Sequence, residues 1–155
     1  MDQSKALWKR PGFLIRRLQQ IQMAAFLSEC SGAGIDITPV QWGVLSIVME
    51  NPGVSHIEIS EELGLDRSNV ANVVKRLANR ELLKQHISPT DRRKKTITLT
   101  KAGQKLISQV GANAQRAQRK ILSPLSEAER DTFVNLLTRL VRENNHLGRA
   151  VLRLT

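Results

Sequence analysis

Apolar residues recur at intervals of three and four along most of the chain. The first stripe is Leu14, Leu18, Ile21 and Ala25, a spacing that lines up one face of an α-helix. Pro11 suits the first turn of that helix, where its missing N–H would have no partner in any case. Ser31-Gly32-Ala33-Gly34 breaks the pattern. Thr38-Pro39 opens a second helix, threonine as cap and proline in the first turn. It carries Trp42, Leu45 and Val48 and stops at Asn51-Pro52-Gly53. Ser55 followed three residues later by Glu58 is a capping box and starts a short helix that runs to Leu63. Gly64 turns the chain. Asp66 caps a fourth helix whose Val70, Val73, Val74 and Leu77 face inward. Two short helices joined by a glycine turn form a helix-turn-helix.

The period then changes from 3.6 to 2. Leu82 to Ile87 reads as a strand and Thr96 to Leu99, alternating and β-branched, as its return. Ser88-Pro89-Thr90-Asp91 is a turn cluster, and Arg92-Arg93-Lys94-Lys95 makes the hairpin basic. Helical spacing resumes after Thr100 with Leu106, Val110, Ala114, Ala117 and Ile121, up to Pro124. A second capping box, Ser126 and Glu129, opens a last helix with Phe133, Leu136, Leu137, Leu140, Val141 and Leu147. The expected fold is mainly α with a small β-hairpin wing, an α+β winged helix-turn-helix flanked by terminal helices. Its expected divisions are an N-terminal dimerisation helix over 1–37, a DNA-binding lobe over 38–100, and C-terminal dimerisation helices over 101–155. The long amphipathic ends have little partner surface within 155 residues, so a second copy of the chain is expected to cover them.

Charge adds a direction. The 24 basic and 14 acidic residues leave a net charge of +10, which favours polyanionic partners, nucleic acid first. The excess is uneven. Residues 36–65 hold five acidic residues and no Lys or Arg, whereas residues 66–101 hold ten basic and three acidic. A uniformly solvated surface has no reason to concentrate charge in this way, and a phosphate-contacting face does. With 41% apolar residues and no apolar run of about 18, the composition reads as a soluble globular domain without a membrane span. The first ten residues lack the apolar stretch of a signal peptide, and a lone Cys30 excludes an internal disulfide framework or a cysteine metal cage. A cytoplasmic location is expected.

The candidate chemistry sits where the charge is. A major groove admits one helix, whose N-terminal side chains reach base edges. Here those are Arg67, Ser68, Asn69 and Asn72. Arg pairs bidentately with guanine and Asn with adenine, while Lys75 and Arg76, further along, suit phosphates. At the hairpin, Asp91, Arg92, Arg93, Lys94 and Lys95 fit phosphate and minor-groove contact, and Asp91 can orient a neighbouring guanidinium by a charge-assisted hydrogen bond.

Those residues carry a resemblance. Ser55-x-x-Glu58-Ile59-Ser60-Glu61-x-Leu63-Gly64-Leu65, then Ser68-Asn69-Val70 and Leu77, then Asp91-Arg92-Arg93 and Ile97-Thr98-Leu99-Thr100-x-x-Gly103 resemble the MarR family, the multiple antibiotic resistance regulators. The resemblance spans nearly the whole chain. It implies a homodimeric winged-helix regulator of double-stranded DNA, with a small ligand lodged between the dimer lobe and the DNA-binding lobe. It also implies that Arg93 enters the minor groove, that Asp91 orients it, and that Asn69 and Asn72 contact bases.

Two departures stand out. Glu81 occupies a place where the family commonly has glycine, and a non-glycine residue at positive φ costs strain. Cys30 lies near the end of the first helix, not early in it as in the peroxide-sensing branch, so a cysteine redox regulator is an alternative of lower rank. Candidate ligand contacts are Arg16, Arg17, Met23, Phe26 and Trp42, apolar walls with arginines that suit an aromatic carboxylate or a larger anionic conjugate; the resemblance implies an aromatic acid or its CoA thioester. Each also has an ordinary reading as core or solvated surface. A ligand-free architectural DNA binder is the other alternative. No catalytic motif is present: there is no Gly-x-Ser-x-Gly, His-Glu-x-x-His or P-loop, and His56, His86 and His146 have no ligand spacing. No metal and no cofactor are expected.

Overall fold

The computed structural model describes residues 7–88, 91, 94–148 and 152. Six α-helices and a three-stranded antiparallel sheet build it: α1 Pro11–Gly32, α2 Pro39–Glu50, β1 Val54–Ser55, α3 His56–Leu63, α4 Arg67–Asn79, β2 Leu83–Ile87, β3 Lys95–Leu99, α5 Lys101–Leu122 and α6 Glu127–Asn144, then a 3-10 turn at Asn145–Leu147. Helix starts follow the caps in the sequence. Thr38, Ser55, Asp66, Thr100 and Ser126 each accept a hydrogen bond from the backbone N–H three residues on, which satisfies one of the four donors a helix start leaves orphaned. Gly64, at φ 61, closes α3 in the left-handed region, where glycine meets no Cβ penalty.

The core is the meeting point of α2, α3, α4 and the sheet. Val44, Leu45, Ile59, Val70, Val74, Leu77 and Ile97 are all fully buried there. On α4 the inner face is Val70, Val74 and Leu77, with Val73 half-buried beside them. The same burial fixes which side of α4 faces solvent, because residues offset by one or two positions from the apolar line must point away.

Two expectations need correction. The sheet has a third strand: Val54 pairs with Ile97 and Ser55 with Thr96, so the order is β1-β3-β2. A two-residue strand is too short to show alternation in sequence. The hairpin strands are Leu83–Ile87 and Lys95–Leu99, a one-residue change at each start. Leu82 remains outside because its N–H is held by the Leu77 carbonyl at 3.0 Å, in the turn that closes α4. On α1, Leu14 and Ile21 of the apolar stripe are exposed, while Phe26 and Cys30 enter the core.

Helix α5 joins the two ends of the molecule. Its first turn is locked to the wing root, where Gly103 packs so closely on the Leu82 carbonyl that a Cβ would collide with it. Its Val110, Ala114 and Ala117 are buried, and its body packs along α1. Arg116 spans the pair, bonded to Glu29 of α1 at 3.1 Å and to the side chain of buried Asn113. No residue of α6 is buried. Among the described residues, no helix is long and apolar enough to cross a membrane.

Candidate DNA interface

The outer face of α4 carries Arg67, Ser68, Asn69, Asn72, Lys75 and Arg76, all exposed. The residues proposed for base and phosphate contact therefore share one solvent-facing surface on a helix whose opposite face is anchored in the core. Two of them are already engaged. The Asp66 carboxylate accepts from Asn69 N at 2.9 Å, Ser68 Oγ at 2.7 Å and Asn69 Nδ2 at 2.7 Å. An ionised carboxylate only accepts, so the Asn69 amide must turn its nitrogen to Asp66 and its oxygen away. Asp66 is thus a positioning residue as well as a cap.

Beside α4 stands the wing. Ser88 N donates to the Lys94 carbonyl at 2.8 Å and Lys94 N to the Asp91 carbonyl at 2.9 Å, which closes the hairpin. Lys94 and Lys95 are exposed and Asp91 is half-buried. Arg92 and Arg93 lie outside the described residues.

The structure adds residues that sequence reasoning missed. His56 is the first residue of α3, and with Ala71, Lys75, Gln85 and Lys95 it lines a hollow between α3, α4 and the wing. Burial, and secondarily Lys95, hold its imidazole below the usual histidine range. Its sequence context gives no metal spacing, so it carried no signal. Arg80, counted among the basic run, is structural. Its guanidinium donates to the Asp36 carbonyl at 2.6 Å and ties the end of α4 to the loop before α2. Glu81 does take a positive φ, at 57°. Glu81 N bonds the Ala78 carbonyl and Leu82 N the Leu77 carbonyl, the paired bonds of a Schellman cap that demands a left-handed residue at this point.

The ligand candidates are less unified. Phe26 and Trp42 meet, with ring centroids 5.7 Å apart, Phe26 in the core and Trp42 half-buried. The Trp42 Nε1–H is buried and has no acceptor among the described residues. Arg16 instead lies 5.4 Å from the Phe13 ring centroid, Arg17 reaches Gln20 on its own helix, and Met23 is exposed. Cys30 is buried, and its thiol pKa is raised by that burial and by Glu29, with Arg116 opposing. A reactive cysteine needs the reverse, a lowered pKa and access, so this conformation gives the redox alternative no chemical basis.

An exposed polar and cationic helix set beside a basic hairpin defines a winged-helix DNA-binding protein. Comparison with known proteins narrows this. Residues 35–94 match the sequence profile of the MarR family. A putative transcriptional regulatory protein for the hcr operon of Thauera aromatica is 31% identical over 137 residues, 86% of this chain and 80% of the relative. The PcaV transcriptional regulator of Streptomyces coelicolor, solved with its natural ligand, is 32% identical and superposes with a TM-score of 0.81 over 88% of this chain and 94% of that one. Bordetella bronchiseptica BpsR, whose DNA binding is regulated by 6-hydroxynicotinic acid, is 29% identical, with a TM-score of 0.79 over 84% of this chain and 92% of that one. The chain belongs to the MarR family of transcriptional regulators.

Proposed function

We propose that the chain is a homodimeric, effector-responsive repressor acting in the cytoplasm on a pseudo-palindromic operator. The observation that carries this reading is the division of α4, with Val70, Val74 and Leu77 fully buried and Arg67, Ser68, Asn69, Asn72, Lys75 and Arg76 all outside. The two α4 helices of a dimer enter successive major grooves about one helical turn, roughly 10 bp, apart. Asn69 and Asn72 read bases, while Arg67, Lys75, Arg76 and the wing residues Arg92, Arg93, Lys94 and Lys95 meet the backbone and minor groove, Asp91 orienting Arg93.

Dimerisation is supported by what one copy leaves uncovered. Leu14, Ile15, Ile21, Met23 and Leu27 on α1, and Val134, Leu136, Leu140 and Val141 on α6, are exposed. Apolar surface on this scale marks an interaction site. Residues 1–37 and 101–155 would form that interface and 38–100 the DNA-binding lobe.

The effector is an aromatic acid or its CoA thioester. Support comes from the buried Trp42 N–H beside the Phe26 ring, which lacks an acceptor among the described residues, since such a donor is costly to leave unmade and a carboxylate or carbonyl would satisfy it. The aromatic acid that regulates BpsR points the same way. Met23, Arg16 and Arg17 complete the candidate contacts. The effector acts by preferring a lobe spacing that does not fit DNA.

The test is a gel shift with DNA from upstream of the chain's own gene, at fixed salt, with excess non-specific competitor. A discrete band that survives competitor and is lost with an aromatic acid or its CoA thioester supports the whole reading. A smear removed by competitor favours an architectural DNA binder. A discrete band indifferent to both compounds keeps the regulator and refutes the effector class.

A further inference from the structure

Resting on the DNA-binding reading above, we propose that the hollow between α3, α4 and the wing is a binding site for a DNA backbone phosphate, with His56 taking up a proton as the phosphate seats. His56 comes from α3, Ala71 and Lys75 from α4, Gln85 from β2 and Lys95 from β3. Four of these five side chains can donate hydrogen bonds, and none is a carboxylate. Lys75, Gln85 and Lys95 are exposed, so the hollow is open to a ligand. Ala71, one turn before Lys75, adds no bulk that would fill it. Two ammonium groups that face one space from different elements repel each other, and a single anion between them turns that repulsion into attraction.

His56 supplies the variable part. His56 is half-buried, and burial first and Lys95 second hold its imidazole below the usual histidine range. A phosphate oxygen reverses the second effect and gives the ring an acceptor, and both favour imidazolium. The ring also borders a second hollow, lined among others by Ser55, Glu58, Ser88, Lys94 and Lys95. Glu58 accepts there from Ser55 N and Oγ, which directs its carboxylate to the start of α3. Among the described residues, the charged groups that share these hollows with His56 are Lys75 from α4, Lys94 and Lys95 from the wing, and Glu58 from its own helix.

Because a phosphate carries no base identity, the test needs no operator. The full chain is titrated with a short mixed-sequence duplex at constant ionic strength from about pH 8 to about pH 6, the interval in which histidine changes charge. Affinity is expected to rise as pH falls, by roughly threefold to tenfold per protomer, and His56→Gln is expected to lose that rise. His86→Gln, which alters the wing histidine bonded to Thr98 Oγ1 at 3.0 Å, is expected to keep it. NMR titration of the unaltered chain gives a second readout: the His56 pKa should move up on adding duplex, and Lys95→Gln should raise it in the free protein. Equal pH dependence in His56→Gln and the parent, or a His56 pKa that duplex does not move, overturns the site. No binding of any duplex at any pH refutes the DNA-binding reading itself, a distinct result.

Discussion

Replacing Glu81 with glycine should make the protein more stable, although it deletes a side chain. Glu81 follows α4 at φ 57° and makes the Schellman bond from its N–H to the Ala78 carbonyl at 2.9 Å. Its carbonyl also accepts from Thr100 Oγ1 at 2.7 Å. All of these are backbone functions, which glycine keeps. The left-handed conformation costs an L-residue about 1–2 kcal/mol, and glycine removes that cost. An acidic side chain beside a helix C-terminus loses about 0.3–1 kcal/mol more to the helix dipole. Against this, glycine gives the unfolded chain extra freedom worth about 0.4–1 kcal/mol. The balance is a gain of about 1.5 kcal/mol, at about 2–4 °C in Tm per kcal/mol for a chain of this size. Glu81→Ala separates the contributions, since it removes the charge and keeps the strain. Both variants should be unfolded in urea at one fixed protomer concentration, because dimerisation makes apparent stability concentration-dependent. If Glu81→Gly is no more stable than Glu81→Ala, the strain at this turn does not exist as reasoned.

Gly103→Ala should destabilise by about 1–3 kcal/mol in thermal melts, against the helix propensity that favours alanine, because the new Cβ collides with the Leu82 carbonyl. Asp66→Ala should cost about 1 kcal/mol for the lost cap, and should also blur base preference in a binding-site selection by releasing Ser68 and Asn69. Asn72→Ala should cost roughly 1–3 kcal/mol on the cognate operator and relax one base position, whereas Lys75→Ala should weaken all sequences and flatten the salt slope by about one unit. Cys30, at 1% exposure, should react with a thiol reagent only as fast as the native fold opens; rapid modification of folded protein would restore the redox alternative.

What the sequence made legible was what is decided within a few residues. A cap is a contact between a side chain and a backbone N–H three positions on, so Thr38, Ser55, Asp66, Thr100 and Ser126 marked helix starts that the fold keeps. The strained turn at Glu81 was legible only through the family resemblance, which places a glycine there. Non-local matters were not. Val54 and Ser55 became a strand only because Ile97 and Thr96 arrive from the far side of two helices. Helix α1 is apolar on more than one side, with Phe26 and Cys30 inward and Leu14, Ile15 and Ile21 outward; periodicity alone does not say which side its own core takes. His56 gained meaning only when folding set Lys75 and Lys95 around it.

The distribution of burial also says how the two ends of the molecule could communicate. Helix α5 is one continuous element of 22 residues, about 33 Å long at the usual rise. At its start, Thr100 N and Oγ1 both bond the Leu82 carbonyl and Gly103 sits against the same group, so the wing root has almost no freedom to move independently of α5. Further along, the Arg116–Glu29 pair and the packing of α5 on α1 bind it to the helix that carries the uncovered apolar face. Phe26, on that same α1, touches Trp42 of α2, and α2 packs on α4. On the proposed function, a ligand that accepts the Trp42 N–H would press on the contact between the helix proposed to dimerise and the helices that hold α4. A shift there would carry α4 and the wing together relative to the dimer partner and so change the separation of the two recognition helices. Trp42→Phe is the discriminating variant: it keeps the ring contact with Phe26 and removes the orphan donor. It should leave operator affinity within about twofold, since the donor faces no DNA contact, and should weaken release by an aromatic acid by roughly tenfold, the worth of one hydrogen bond of about 1–1.5 kcal/mol. Weakened operator binding, with the remaining complex released by the aromatic acid at an unchanged concentration, would place Trp42 in the scaffold of α4 and take it out of the effector site.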